Sequence, residues 1–366
     1  MRTTVLVWAL TIAISASAQL VQADDQEWLA AGQSPEAWQE AGEAEGPEPY
    51  SDISPEAPSW IRPRYWFVPP KFGTYFQADV LYLERFNDAA DQPIATILNP
   101  ESTPVMTTNA ARLSGMWNPG MMYTFGVNLD QIGQVEATYW GLNTWKNSAF
   151  VTDSTLPVAQ LGLAGDLKNS STDYIFVDRM SISYVSRINN VELNYKQMIN
   201  GITLLAGPRY LRLTETFDIN SHGGVSGTAS DYNVSTVNNL IGAQIGLGYT
   251  YEGGPFNVGI LGKIGSYANA VHQTTFVQDA GNTLILRNVQ KDGMPVSTIG
   301  EVQVNALYRV TDWFSIHAGY RFMWVQNLAL APDQLDLSNS PVGFAYLNSH
   351  NHLFFQGFNV GGEIRW

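Results

Sequence analysis

The chain of 366 residues contains no cysteine. A protein without cysteine has no disulfide to hold its fold, even in an oxidising compartment. Backbone hydrogen bonds and side-chain packing must therefore supply the stability.

Long apolar runs are also scarce. The clearest one covers residues 5–14, is broken only by Thr11 and is shorter than the roughly 20 residues that a membrane-spanning helix needs. Arg2 precedes it, and a small-residue cleavage site follows at 16–18. These features predict a secretory signal peptide over residues 1–18, and a second small-residue site at 21–23 leaves cleavage after residue 23 as the alternative.

The charge of the chain is unevenly distributed. The formal net charge is -14, and ten of the 33 acidic residues lie between Asp24 and Glu56, where Lys and Arg do not occur. Residues 61–366 carry 18 basic and 23 acidic residues, so their net charge is -5. No basic stripe supports nucleic-acid binding, and we expect no nucleic-acid partner.

Residues 24–60 are rich in Glu, Ala, Gly and Pro. Such a composition cannot supply a hydrophobic core, so we predict an acidic periplasmic tether. Two copies of a W-x-x-A-G pattern, at 28–32 and 38–42, lie within it. They are either a docking motif for a periplasmic partner or a chance recurrence in an Ala-rich stretch.

From residue 73 onward, apolar residues alternate with small or polar ones. The clearest example runs from Ile241 to Tyr251, with Gly, Gln and Thr at the intervening positions. This period of two predicts strands, and lengths of ten or more exceed the five or six residues usual in globular domains but suit a bilayer crossing. The predicted strands cover about 73–86, 120–129, 132–142, 180–196, 201–213, 239–251, 256–270, 298–310, 313–325 and 353–366.

The connections alternate between long and short. Long polar ones cover about 87–119, 143–178, 214–238, 271–297 and 326–352, and short ones lie near 130–131, 198–200, 252–255 and 311–312. This alternation places all long loops at one end, which is typical of outer-membrane barrels with external loops and short periplasmic turns. We therefore predict an all-β, transmembrane, antiparallel up-and-down barrel of about ten strands over residues 72–366.

Two segments leave the strand number open. Residues 180–196 are long enough for two strands, and 274–287 has the pattern of a hairpin, so twelve strands are the alternative. A soluble secreted β-sandwich is the alternative to a membrane barrel.

The last strand is apolar on one face only. Phe358, Val360, Ile364 and Trp366 share that face, opposite Glu363. The ending resembles the C-terminal signature of bacterial outer-membrane β-barrels. This resemblance implies recognition by the barrel-insertion machinery and contact with outer-membrane lipid. The alternative is an edge strand of a secreted sandwich.

Several segments carry a family resemblance, and they are 75–83, 204–211, 242–246 and 319–322 followed by 328–334. They resemble putative β-barrel porin family seven, a set of predicted Gram-negative outer-membrane proteins. The resemblance implies an outer-membrane barrel and a porin-like activity. Pro208 departs from the pattern and predicts weakened strand pairing, at a bulge or an edge.

Charged residues fall on the inward positions of the predicted strands. They are Glu136, Glu192, Lys196, Arg209, Lys263, Glu301, Arg309, Arg321, Glu363 and Arg365. Six cations and four glutamates predict mainly a structural plug of ion pairs, since an unpaired buried ion costs several kcal/mol. The functional alternative is a narrow, cation-lined path for small polar or anionic solutes. Ten strands are too few for a general diffusion pore.

The sequence predicts no enzyme, cofactor or metal site. Four of the five histidines lie in or beside predicted long loops, whereas a zinc site needs three or four ligands. The histidines are His222, His272, His317, His350 and His352. Common hydrolase, nucleotide and metal motifs are absent.

Aromatic residues cluster at the ends of predicted strands. Residues 139, 140, 145, 313, 314, 324 and 366 suit interfacial girdles better than sugar-binding platforms. The first hypothesis for function is a porin-like channel for small solutes. The alternative is a plugged structural or surface-interaction barrel that displays its loops and transports nothing. No oligomeric state is predicted.

Overall fold

The computed structural model describes residues 73–87, 89–98, 103–129, 133–153, 160–199, 201–223, 228–279, 284–343 and 346–366. The predicted signal peptide, the tether at 24–60 and its two W-x-x-A-G copies lie outside the described residues, as does residue 72. Among the described residues, no helix is long and apolar enough to cross a membrane.

Strands dominate the described chain. Their bounds are β1 Thr74–Asn87, β2 Pro93–Ile97, β3 Thr103–Thr107, β4 Met116–Asn128, β5 Gln134–Leu142, β6 Trp145–Thr152, β7 Leu161–Leu163, β8 Val177–Ile199, β9 Ile202–Gly223, β10 Thr228–Gly253, β11 Phe256–Gln278, β12 Ile285–Gly293, β13 Val296–Arg309, β14 Phe314–Leu328 and β15 Asn351–Arg365. Short 3₁₀ turns lie in three of the connections.

Ten antiparallel strands close into a barrel. The hydrogen-bonded ring runs β1-β4-β5-β8-β9-β10-β11-β13-β14-β15 and returns to β1. The backbone of Trp366 exchanges two hydrogen bonds of 3.0 Å with Thr74, so the last residue closes the ring against the first strand. The predicted ten-stranded antiparallel barrel is confirmed.

Two further strands join the sheet outside this ring. β6 pairs with β8 over residues 179–186, where β5 has already ended, and β12 pairs with β11 over 271–278. The sheet therefore contains twelve strands, of which ten close the barrel. The predicted hairpin at 274–287 is the β11–β12 pair, whereas 180–196 belongs to the single strand β8.

Two predicted loops are largely strand. β9 continues to Gly223 and β10 begins at Thr228, so most of 214–238 is a long hairpin, and β11 continues to Gln278. The outward side chains of these extensions are polar, such as Asn220 and Asn233. Their polarity made them resemble loops, but it only indicates that this part of the sheet lies beyond the apolar surface.

An apolar band surrounds the barrel. Outward side chains are apolar from Ile202 to Tyr210 on β9 and from Ile241 to Tyr251 on β10. Nine to eleven residues is the length that a tilted strand needs to cross a bilayer. A closed ring with an apolar exterior is a membrane barrel, and the sandwich alternative is wrong.

The two ends of the barrel differ. We call the end with the short connections the turn end, and the end with the long connections the loop end. At the loop end, β8 to β11 extend beyond the band and are flanked by β6 and β12. The three-stranded sheet of β2, β3 and β7 and the segment 329–337, here called the cap, lie at this end.

Pro208 interrupts pairing without displacing the strand. The β8–β9 pairs pass from Glu192 opposite Arg209 to Tyr195 opposite Ala206 with no register shift. On the other side Pro208 pairs with Ala243. The weakened pairing is confirmed, but the site is neither a bulge nor an edge.

Candidate functional site in the barrel lumen

Five charged side chains meet in the middle of the lumen, and we call them the central cluster. They are Glu192, Arg209, Lys263, Glu301 and Arg321, and all are at least 92% buried. Each lies on the inward face of a different strand, because alternate residues of a strand face the lumen. Strand alternation thus brings together residues up to 129 positions apart.

The ion pairs of the cluster share their carboxylates. Glu301 Oε2 lies 2.8 Å from Arg209 Nη1 and 3.2 Å from Lys263 Nζ, and its Oε1 lies 3.1 Å from Arg321 Nε. Glu192 Oε2 lies 2.9 Å from Lys263 Nζ. The pairing distributes two carboxylates among three cations.

Neutral groups complete the shell around Arg209 and Glu192. Arg209 Nε donates to Asn190 Oδ1 at 2.6 Å, and Gln244 Nε2 donates to Glu192 Oε2 at 2.7 Å. Met323 Sδ lies 3.2 Å from Arg209 Nη2. The charged groups at this level of the lumen are thus held by hydrogen bonds to neutral side chains as well as by ion pairs.

A second buried ion pair lies closer to the loop end. Arg85 Nη2 and Glu215 Oε1 are 2.6 Å apart, with both side chains fully buried. The Tyr184 hydroxyl accepts from Arg85 Nη2 at 2.7 Å and donates to Glu215 Oε2 at 2.9 Å, and Ser186 bonds both partners. Neither residue was among the predicted lumen charges. Glu215 fell in a predicted loop, whereas Arg85 lies within the predicted strand 73–86, where the period of two could have identified it as inward-facing.

The cap folds into the loop end of the barrel. Ala329 exchanges two hydrogen bonds with the Asn238 side chain, at 2.8 and 2.9 Å, and the Ala331 amide donates to Glu215 Oε2 at 3.1 Å. Leu330 and Leu335 are at most 1% exposed. The cap therefore rests directly on the second ion pair.

The end of the cap is fixed by Tyr232 and Arg287. The Tyr232 hydroxyl donates to the Asp336 carbonyl at 2.8 Å, and burial raises the pKa of Tyr232 to about 12, which keeps that donor protonated. The Arg287 guanidinium donates to the carbonyls of Asp336, Ser338 and Ser340 at 2.6 to 3.1 Å. The segment after the cap is thus bound through its backbone.

Toward the turn end the lumen is polar and partly empty. A cavity of about 630 Å³ extends from Lys263 and Arg321 to residues beside the turns, such as Asn128 and Met198. Glu136 is paired with Lys196 and accepts a hydrogen bond from the Tyr75 hydroxyl. The Tyr75 ring lies over Gly126, where the Cβ atom of any other residue would come within 1.9 Å of the ring.

The rim of this cavity carries further pairs. Glu363 is paired with Arg365, and His317 Nδ1 lies 3.1 Å from Asp79 Oδ1. Arg309 lies on the inward face of β13, eight residues toward the turn end from Glu301, and does not join the central cluster. The ten predicted lumen residues thus form one central group, two rim pairs and the separate Arg309.

The C-terminal signature lies on the outer face of β15. Phe358, Val360, Ile364 and Trp366 are 44 to 62% exposed, within the apolar band. The neighbouring Glu363 faces the lumen. This is the arrangement in which an apolar row meets lipid while charged residues line the interior.

Two of the residues predicted for the interfacial girdles do not face the membrane, so the prediction is wrong for them. Trp140 and Trp145 are buried, at 0 and 1% exposure, and only their neighbours face outward. Tyr139 Oη donates to Asn189 Oδ1 at 3.2 Å, and Tyr210 Oη donates to Asn239 Oδ1 at 2.8 Å, at the loop-end edge of the band. Position at a strand end does not determine which face a ring occupies.

Among the described residues, no group of three or more His, Asp or Glu side chains is arranged to hold a metal ion. His317 lies in the lumen, whereas His272 is on the outer face, 2.6 Å from Asp292 Oδ1.

A protein-family model described as "Putative beta barrel porin-7" matches residues 85–366. The chain belongs to this family. It is an outer-membrane β-barrel of the porin-like class, with transmembrane strands. Among curated proteins, no match reaches significance.

Solved outer-membrane proteins are similar to this chain at low identity. The outer membrane protease OmpT from Escherichia coli is 9% identical, with 83% of this chain and 99% of that chain covered and a TM-score of 0.38. The translocator domain of NalP from Neisseria meningitidis is 8% identical, with 80% and 88% covered and a TM-score of 0.36. The toluene transporter TodX from Pseudomonas putida is 12% identical, with 82% and 89% covered and a TM-score of 0.30.

Proposed function

We propose that this porin-family protein is a closed surface barrel, which presents its loop end to the cell exterior and lets no solute diffuse freely through its lumen. One observation carries the proposal. The cap, the Arg85–Glu215 pair and the central cluster follow one another along the lumen, and their side chains are buried. A ten-stranded barrel is narrow enough for side chains to fill it.

Opening such a lumen would be costly. Separating one partner from a buried ion pair costs about 3–5 kcal/mol, because it leaves an uncompensated charge. The central cluster contains five cation–carboxylate contacts within 4 Å. A path along the axis would require several of them to break together, so thermal fluctuation alone would open it rarely.

The orientation follows the usual topology of these barrels. Long connections face the exterior and short turns face the periplasm. In that orientation the turn end, Trp366 and the acidic residues 24–60 are on the periplasmic side. The proposed partners are outer-membrane lipid and the barrel-insertion machinery, and the protein is not an enzyme.

The role of the C-terminal signature is tested by deletion of Trp366. Loss of its two backbone bonds to Thr74 and of its exposed ring is expected to lower the outer-membrane level of the protein several-fold. Secretion into the periplasm should be unchanged. Equal outer-membrane levels for the deletion variant and the wild type would contradict the assigned role.

Planar-bilayer conductance tests the closed lumen. The full chain, inserted at low protein concentration, is expected to give no discrete current steps. The matched variant replaces residues 329–337 with a Gly-Ser linker and combines this change with Arg85→Ala and Glu215→Ala in the second ion pair and with Arg209→Ala and Glu301→Ala in the central cluster. It should conduct, because all three closures are removed or weakened. Discrete steps from the wild type would overturn the proposal.

The second candidate is a narrow channel for small polar or anionic solutes. The cavity of about 630 Å³ at the turn end favours it, since it already occupies part of the lumen. Because the chain contains no cysteine, an engineered disulfide can distinguish a channel from a closed barrel. Cysteines placed at 238 and 329 would lock the cap under oxidising conditions, and a channel would lose its conductance reversibly, whereas a closed barrel would have none to lose.

A further inference from the structure

The central cluster has an uncompensated positive charge. It contains Arg209, Lys263 and Arg321, but only the carboxylates of Glu192 and Glu301. The other carboxylates at the cavity and its rim each have a partner of their own, and Asp79 is held against His317, with 3.1 Å between Oδ1 and Nδ1. Glu136 is paired with Lys196, and Glu363 with Arg365. An unbalanced buried ion costs several kcal/mol unless a counterion is close.

The excess is concentrated at Arg321. Its Nε lies 3.1 Å from Glu301, its Nη2 lies 3.2 Å from Met122 Sδ, and its guanidinium lies 5.7 Å from the Trp140 ring centroid. Within the described residues, Nη1 has no hydrogen-bond partner, although the side chain is 95% buried. A buried donor without an acceptor is rare in native proteins and calls for an explanation.

The cavity provides room for the missing acceptor. Arg321 and Lys263 form part of its wall, and its other side chains are mostly polar. Hydroxyl and amide groups in the wall come from Thr124, Thr138, Asn194, Gln303 and Asn305. The cavity reaches residues that flank the turns, whereas the cap lies beyond the cluster on the opposite side. The cavity therefore faces the turn end, and this is the side from which we expect a solute to enter.

We infer that this cavity is a binding site for a small carboxylate- or phosphate-bearing anion, which reaches it from the turn end and accepts a hydrogen bond from Arg321 Nη1. Both groups present oxygen pairs that match the guanidinium fork. The anion compensates the excess charge of the central cluster. Because the cluster closes the far side, the cavity is a blind pocket in which the anion enters and leaves by the same opening.

The anion site itself is independent of the closed lumen, whereas its description as a blind pocket rests on the proposed closed barrel. A barrel that conducts could bind an anion here, and a barrel that is closed could bind none. A failure to bind anions would therefore count against the anion site alone, and a measured conductance would count against the closed lumen alone.

Isothermal titration of the refolded full chain with sodium acetate or sodium phosphate, in a zwitterionic detergent at low salt, tests the site. The wild type is expected to bind at least one of the two anions saturably, with one site per chain. Arg321→Met should weaken binding at least tenfold. It leaves two cations and two carboxylates, so the cluster stays balanced and the barrel should still fold.

Two further variants complete the test. Arg212→Met removes an exposed arginine from the outer face, and its binding should equal that of the wild type. Glu192→Gln raises the excess charge of the cluster by one and should tighten binding at least threefold. If Arg321→Met does not fold, Thr124→Phe fills the cavity without removing an ion pair and should abolish binding.

The site would be disproved by either of two results. One is the absence of saturable binding of both anions to the wild type. The other is a folded Arg321→Met or Thr124→Phe variant that binds within twofold of the wild type.

Discussion

The two halves of the lumen are built from the same strands but stabilised differently. At the turn end, the ion pairs Glu136–Lys196 and Glu363–Arg365 border a cavity of about 630 Å³. At the loop end, Arg85 and Glu215 are fully buried beneath the cap, whose leucines belong to the hydrophobic core. Similar polar groups therefore line a cavity in one half and are enclosed by packed side chains in the other, and identical substitutions should have different effects.

The largest effect is expected from Arg85→Ala at the loop end. It leaves Glu215 buried without its cation, and we expect the free energy of unfolding to fall by about 3–5 kcal/mol. Denaturant titration of the barrel in detergent measures this loss. The double variant Arg85→Leu with Glu215→Leu should recover most of it, because both charges are then absent. A double variant no more stable than Arg85→Ala would show that charge burial is not the cause.

A leucine pair gives the next contrast. Leu330→Ala in the cap removes a fully buried side chain from the apolar core and should cost about 2–5 kcal/mol. Leu205→Ala is the matched change beside the turn-end cavity. It should cost less, because the space it leaves joins an existing cavity. Equal losses in the same titration would mean that the two halves are equally well packed.

A tyrosine pair gives the smallest contrast. The Tyr184 hydroxyl donates to Glu215 in the enclosed half, and the Tyr75 hydroxyl donates to Glu136 beside the cavity. Tyr184→Phe should cost about 1.5–3 kcal/mol, as expected for a hydrogen bond to a charged group. Tyr75→Phe should cost under about 1.5 kcal/mol, since water in the cavity can replace the donor. A larger loss for Tyr75→Phe would reverse the comparison.

The turn-end half could be predicted from the sequence because one local rule governs it. Strand alternation placed Lys263 and Arg321 on inward faces, and the alternation of long and short connections predicted the number of spanning strands. The central cluster then follows from ring closure. Its net charge could have been counted from the sequence, but which pairs form depends on strand register.

The loop-end half could not be predicted, because it depends on contacts between distant segments. Glu215 lies in a strand extension whose polarity resembled a loop, and the cap segment 329–337 is stabilised by Asn238 and Glu215, 91 and 116 residues away. Trp140 also shows the limit of position along a strand, since its neighbour Tyr139 faces outward while its own ring fills the lumen. Beyond the lipid-facing band, the outward side chains of a strand are polar, so the alternation of apolar and polar residues no longer distinguishes a strand from a loop.

The single-channel conductance of the wild-type chain in a planar bilayer tests the closed lumen most directly. The buried cap, the Arg85–Glu215 pair and the central cluster predict a current that stays at the lipid baseline. The variant that lacks the cap and carries Arg85→Ala, Glu215→Ala, Arg209→Ala and Glu301→Ala should give discrete steps when it is inserted by the same procedure, which shows that this procedure delivers the barrel into the bilayer. Discrete, reproducible steps from the wild type would contradict the account.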